Sequence, residues 1–131
     1  MGTISPTKLR LEAVSAEEFQ SIPSYMRGRL DRAKLQAALE TWGALLRAKY
    51  ALMATPAAQQ SEAQRKQVAA WLAEETDETA GCAFLSSEDV RQCAELQSLG
   101  SINLKAVLVG LRHLGRVKNS TASGTPKYIL L

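Results

Sequence analysis

A chain of 131 residues with 46% hydrophobic side chains is the size of one domain and can bury a core without disulfides or metals. Its net charge of only +3 does not by itself point to an acidic partner. Two cysteines and one histidine are too few for a structural zinc site, and no apolar run approaches the ~18 residues of a membrane span.

In chain order, residues 1–14 with Pro6 read as a lead-in. Ser15-Ala16-Glu17-Glu18 has capping-box spacing and predicts a short helix that Pro23 ends. Asp31 is the expected N-cap of a strong amphipathic helix over Asp31 to Tyr50, because Leu35, Ala38, Leu39, Trp42, Leu45, Leu46 and Tyr50 recur on one face. Residues 53–60, broken by Pro56, read as a loop. Ser61 caps the next helix, with Val68, Trp71 and Leu72 on one side, and this helix runs into an acidic turn ending near Gly81.

Cys82-Ala83-Phe84-Leu85 is a strand candidate. Ser86 with Asp89 repeats the capping-box spacing and predicts a helix from about Ser87 to Leu96. Ser101 is the expected cap of a last helix with a broad apolar face from Ile102 to Leu114, closed by Gly115. The tail reads as two strands, over residues 116–118 and 126–131, joined by a turn rich in Ser, Thr, Asn and Gly. Helix, short strand, helix, helix, β-hairpin is the order of a winged helix. The expected fold is therefore mainly α with a small β-hairpin or sheet: a winged-helix core over 61–131 with an N-terminal helical extension over 15–60.

The charge is unevenly distributed. Residues 74–95 hold seven acids against Arg91, whereas residues 96–131 hold none and carry Lys105, Arg112, Arg116, Lys118 and Lys127 beside His113. Lys105, Arg112 and Arg116 follow at steps of seven and four on the last helix, and Lys118 and Lys127 extend the charge onto the hairpin. Arg27, Arg29, Arg32 and Lys34 form a second basic cluster at the start of the long helix.

For catalysis the sequence offers little. His113 has no sequence-adjacent carboxylate to orient it as a base, and Glu74, Glu75, Asp77 and Glu78 lack the spacing and glycine of a calcium loop. No glycine-rich phosphate loop is present. Neither catalysis nor a cofactor is expected. Cys82 and Cys93 read as buried free thiols in a reducing compartment, cytosol or nucleus, and neither a membrane span nor a signal peptide is expected.

Glu18-Phe19, the stretch Ile22-Pro23-Ser24-Tyr25-Met26-Arg27-Gly28-Arg29-Leu30, Lys49-Tyr50, Glu74-Glu75-Thr76, Leu111-Arg112-His113 and Tyr128-Ile129 occur in this order. Together they resemble the C-terminal microtubule-binding domain of the first-subunit family of the spindle and kinetochore-associated (Ska) complex. The resemblance implies a winged helix with extra N-terminal helices that binds tubulin through basic patches at the outer kinetochore and on spindle microtubules. Other Ska subunits would join through regions outside this segment. Carried over by position, Arg29 belongs to one patch and Arg112 and Arg116 to another, and Lys127 matches a basic residue of the closing strand. Arg27, Lys105 and Lys118 join them on local charge. The loop 53–60, the turn with Asp77, Glu78 and Ala80, and the wing tip Ser120 to Gly124 lack basic residues that the family carries, so fewer patches remain.

Two other readings come from different classes. A DNA-binding winged helix would lay the last helix in the major groove, yet Asn103, Lys105 and Ala106 offer little for reading bases, so nucleic acid is the less favoured partner. The other is a winged helix that serves protein contacts alone.

Overall fold

The computed structural model describes residues 13–79, 81–121 and 126–130. The lead-in up to residue 12, Ala80 of the acidic turn, positions 122–125 of the hairpin turn and Leu131 lie outside the described residues.

Two one-turn-scale helices come first, α1 (Ala16–Ser21) and α2 (Ser24–Arg27), followed by α3 (Arg32–Ala54), a 3-10 turn at Ala57–Gln59, and α4 (Glu62–Ala73). The second half contains β1 (Phe84–Ser86), α5 (Ser87–Gln92), α6 (Ala94–Gln97), α7 (Ser101–His113), β2 (Val117–Ser120) and β3 (Lys127–Leu130). Most starts follow the side chains that the sequence offered as caps. Ser15 Oγ accepts the Glu18 N–H at 3.0 Å and Glu18 returns to the Ser15 N–H. The Asp31 carboxylate accepts from Lys34 N–H at 2.7 Å. Ser61 with Gln64, and Ser86 with Asp89, form two further complete capping boxes.

Several boundaries differ from expectation. The long helix continues through Ala54 and takes in the first residues assigned to a loop. The helix expected over Ser87 to Leu96 is broken at Cys93, whose backbone is extended (φ −85°, ψ 108°), giving two short helices. α7 is entered through Gly100 at φ 85°, a left-handed value that only glycine adopts at little cost, so Ser101 is the first helical residue and not its cap. Leu72, expected on the packed side of α4, is 52% exposed, and no residue of α4 is fully buried. Cys82 and Cys93 are free but half-buried, not buried.

The hairpin is part of a larger sheet. β3 lies between β1 and β2 in a three-stranded antiparallel sheet, with Leu85 opposite Tyr128 and Lys118 opposite Ile129. Against this sheet pack the inner faces of α3 and α7. Leu35, Leu39, Trp42 and Leu46 of α3 share one core with Leu85, Val90, Leu96, Val107, Leu111 and Val117, so both halves of the chain bury the same apolar cluster. Each such large side chain contributes about 1.5–3 kcal/mol by leaving water. Trp42 meets the Tyr128 ring edge-on, with centroids 5.6 Å apart.

Candidate functional site

The first half of the site is set by Pro23, whose fixed φ of −55° starts the single turn Ser24–Arg27, and by Gly28, whose φ of 57° ends it. That reversal sends Leu30 into the core and leaves Arg29 exposed. α2 packs against α7. Just before it, Ile22 approaches α7 at Gly110, where a Cβ would stand 3.4 Å from Ile22 Cδ1.

The second half is the end of α7. Its inner face buries Ala106, Val107, Gly110 and Leu111 and leaves Lys105, Arg112 and His113 exposed. The helix closes on Gly115 at φ 71°, with Arg116 N–H donating to Leu111 O at 2.9 Å and Gly115 N–H to Arg112 O at 3.0 Å. This Schellman closure turns the chain straight into β2. Between α2, the end of α7 and β2 lies a groove of about 540 Å³ lined by Met26, Val109, Arg112, His113, Val117, Lys118 and Asn119. Three of these seven side chains are basic types and none is acidic.

The basic residues singled out in the sequence separate into three groups. Arg29, Lys105, Arg112 and Lys118 are exposed, and the last two line the groove. Arg27 and Arg116 are half-buried and engaged in packing. The Arg27 guanidinium sits 5.1 Å from the centre of the Phe19 ring, and Arg116 Nη2 donates to both Glu18 carboxylate oxygens, at 2.9 and 3.2 Å. Those bonds, with the Ser15 N–H, hold the Glu18 carboxyl below its usual range. Lys127 departs from expectation. At 1% exposure on the central strand it has no surface to offer a partner, because its side chain points into the molecule from the inner face of β3.

A second cationic centre was not legible in the sequence. Lys49, 2% exposed, reaches from α3 beneath β1, donates to Phe84 O at 2.7 Å, stands 3.8 Å from Asp89 Oδ2 and lies 3.7 Å from the Phe84 ring centre. Asp89 also accepts from Trp71 Nε1 at 2.9 Å, which ties α4 to α5. Burial lowers the Lys49 amine to about 8, while Asp89, Glu74 and Glu75 pull the other way. Beside it the Tyr50 hydroxyl accepts from Phe84 N–H at 2.9 Å and donates to Cys82 O at 3.4 Å, and burial raises it to about 12. Lys49 followed Leu45 and Leu46 on an apolar helix face, and its neighbours lie 35 and 40 residues away, so only the fold reveals its burial.

Among the described residues no cluster of three or more His, Cys, Asp or Glu is disposed to hold a metal ion, and no helix is long and apolar enough to cross a membrane.

The profile of the family "Spindle and kinetochore-associated protein 1" matches residues 6–124. SKA complex subunit 1 of Danio rerio is 29% identical over 125 residues, covering 92% of this chain and 46% of that protein. The Xenopus tropicalis protein of that name is 26% identical over 120 residues (92% and 47%), and the Homo sapiens protein 23% over 117 residues (89% and 45%). The chain thus spans about half the length of these relatives. With the family profile running through nearly every element from α1 to β2, the chain belongs to the spindle and kinetochore-associated protein 1 family.

Proposed function

We propose that this chain is the microtubule-docking module of an outer-kinetochore complex, presenting a basic face to the acidic tubulin lattice in support of chromosome attachment during mitosis. Family membership supports the kinetochore and spindle setting, with the other Ska subunits joined through regions outside this segment. The observation that carries the docking role is the exposed, acid-free groove edge formed by Arg112, His113 and Lys118, with Arg29 on the neighbouring α2 segment and Lys105 farther along α7. The order α4, β1, α5–α6, α7, β2–β3 supports the winged-helix reading, with α7 in the recognition position and β2–β3 as the wing.

Exposed ion pairs contribute only about 0–1 kcal/mol each, so docking of this kind is the sum of several weak, salt-sensitive contacts. It suits a partner along which the module must move, and copies of the module in one assembly would add avidity. A DNA reading has less to work with. Asn103 donates to Leu99 O at 3.1 Å in the turn before α7 and Ala106 is buried, so Lys105 is the sole exposed hydrogen-bonding side chain of that trio.

The test is cosedimentation with microtubules, with and without proteolytic removal of the acidic tubulin tails, beside a duplex-DNA competition. Arg29→Ala with Arg112→Ala is expected to weaken pelleting by about tenfold or more while Tm stays within about 2 °C of the parent. Unchanged pelleting of that double variant rejects the docking face.

A further inference from the structure

The groove has a feature that general basic docking does not use. Val117, Lys118 and Asn119 are consecutive, and all three line it. Successive strand side chains point to opposite faces of a sheet, so a cavity touching three in a row runs along the strand's edge and not over one face. Among the described residues that edge is unpaired, because β2 is the outer strand of the order β1-β3-β2.

The hydrogen-bond pattern tells which backbone groups the edge offers. Leu130 N–H donates to Ala83 O, and Pro126 O accepts from Ser87 N–H, both on the β1 side of β3. N–H and C=O of one strand residue point the same way and alternate along the strand, so Lys127 and Ile129 face β2. Their partners Ser120 and Lys118 therefore turn their backbone groups toward β3. The N–H and C=O of Asn119, and the C=O of Val117, point off the open edge into the groove.

From this we infer that the groove seats an extended, glutamate-rich peptide segment, which pairs as an added strand along Val117–Asn119 and lays its carboxylates against Arg112, His113 and Lys118. The inference rests on the docking role proposed above and deepens it by naming the form in which the acidic partner is held. Alternating backbone donors and acceptors are what a peptide in strand conformation matches, whereas a folded acidic surface cannot reach them. The floor formed by Met26 and Val109 suits the apolar stems of glutamate side chains, while the cationic rim selects their charge. Edge pairing aligns the peptide along β2, and the cations choose its composition.

The test uses the 131-residue chain and a synthetic eight-residue glutamate-rich peptide, with its glutamine counterpart as control. Saturating glutamate peptide is expected to slow hydrogen exchange of the Asn119 amide at least tenfold, as a new backbone hydrogen bond requires. The Lys118 amide, already turned to β3, should change little, and the glutamine peptide should bind about tenfold more weakly. Arg112→Gln with Lys118→Gln should weaken the glutamate peptide similarly. Binding that leaves Asn119 exchange unchanged overturns the strand pairing, and equal binding of the two peptides overturns the charge selection. Cosedimentation of the same preparation separates this inference from the docking role. A chain that pellets with microtubules but ignores the peptide loses the groove proposal alone. One that protects Asn119 on peptide binding but never pellets keeps the groove and loses the docking role.

Discussion

Lys118 and Lys49 are the same chemical group in two regions that use it in opposite ways. At the groove the amine is in water, pays no desolvation penalty, and is available to an outside anion. Beneath β1 the amine is stripped of water, held by one carbonyl, one carboxylate and the face of a phenyl ring, and its proton is loosened by burial. The contrast teaches that counting cations along a sequence does not locate a docking surface. Solvation decides whether a charge serves an external partner or the internal register of the fold.

The largest expected break in this comparison is Asp89→Ala. Asp89 closes the α5 capping box at Ser86 N–H (3.0 Å), accepts the Trp71 indole N–H and faces Lys49, so its loss strands a buried cation and two donors. We expect destabilisation of about 3–5 kcal/mol in chemical denaturation, with the docking face still basic.

The next effect is in pH. Lys49 is depressed from 10.5 to about 8 in the folded chain, so between those values the unfolded chain binds more protons. Stability should therefore rise with pH across that window, and fall back as pH drops through about 8. Tyr50, raised from 10.0 to about 12, works in the opposite direction, because the folded chain keeps its proton longer. The difference between parent and Lys49→Met isolates the lysine and should amount to about 2 kcal/mol between pH 8 and 10. A parallel pair of curves contradicts the buried-amine assignment.

Smaller effects sharpen the boundary between displayed and consumed charge. Lys127→Ala, on the central strand, should cost about 1–3 kcal/mol of stability, since it empties a buried position. Arg116→Ala should cost at most about 1 kcal/mol, because its pair with Glu18 is half-exposed, and the cost should vanish below the range in which Glu18 is ionised. Lys118→Ala should leave Tm nearly unchanged while weakening microtubule pelleting modestly and lowering its salt dependence.

Much of the framework was legible because it is local. Ser15 with Glu18, Asp31, Ser61, Ser86 with Asp89, and Gly115 each announce a helix end within four residues, and every one of them acts there. The break at Cys93 was not announced, since neither Pro nor Gly stands there. The site was half legible. The acid-free tail drew attention to Arg112 and Lys118, which are exposed at the groove, but a segment without acids in sequence is not without acids in space. Glu18 reaches Arg116 across 98 residues, and Glu78 accepts from Ser120 Oγ at 2.6 Å. The burial of Lys127 follows from the position of β3 between two strands, which depends on β1 joining the sheet.

The groove draws Met26 from near one end of the chain and Val117, Lys118 and Asn119 from near the other, and the contact of Ile22 with Gly110 ties the same two ends together. During synthesis it therefore cannot exist on any N-terminal intermediate, however basic, and must await emergence of β2 from the ribosome. Contacts so distant in sequence also make it a late event in refolding, when most of the helices have already formed. A protease cut in the segment between α3 and α4 should consequently leave every cation in place, yet uncouple the two lips of the groove once the pieces part.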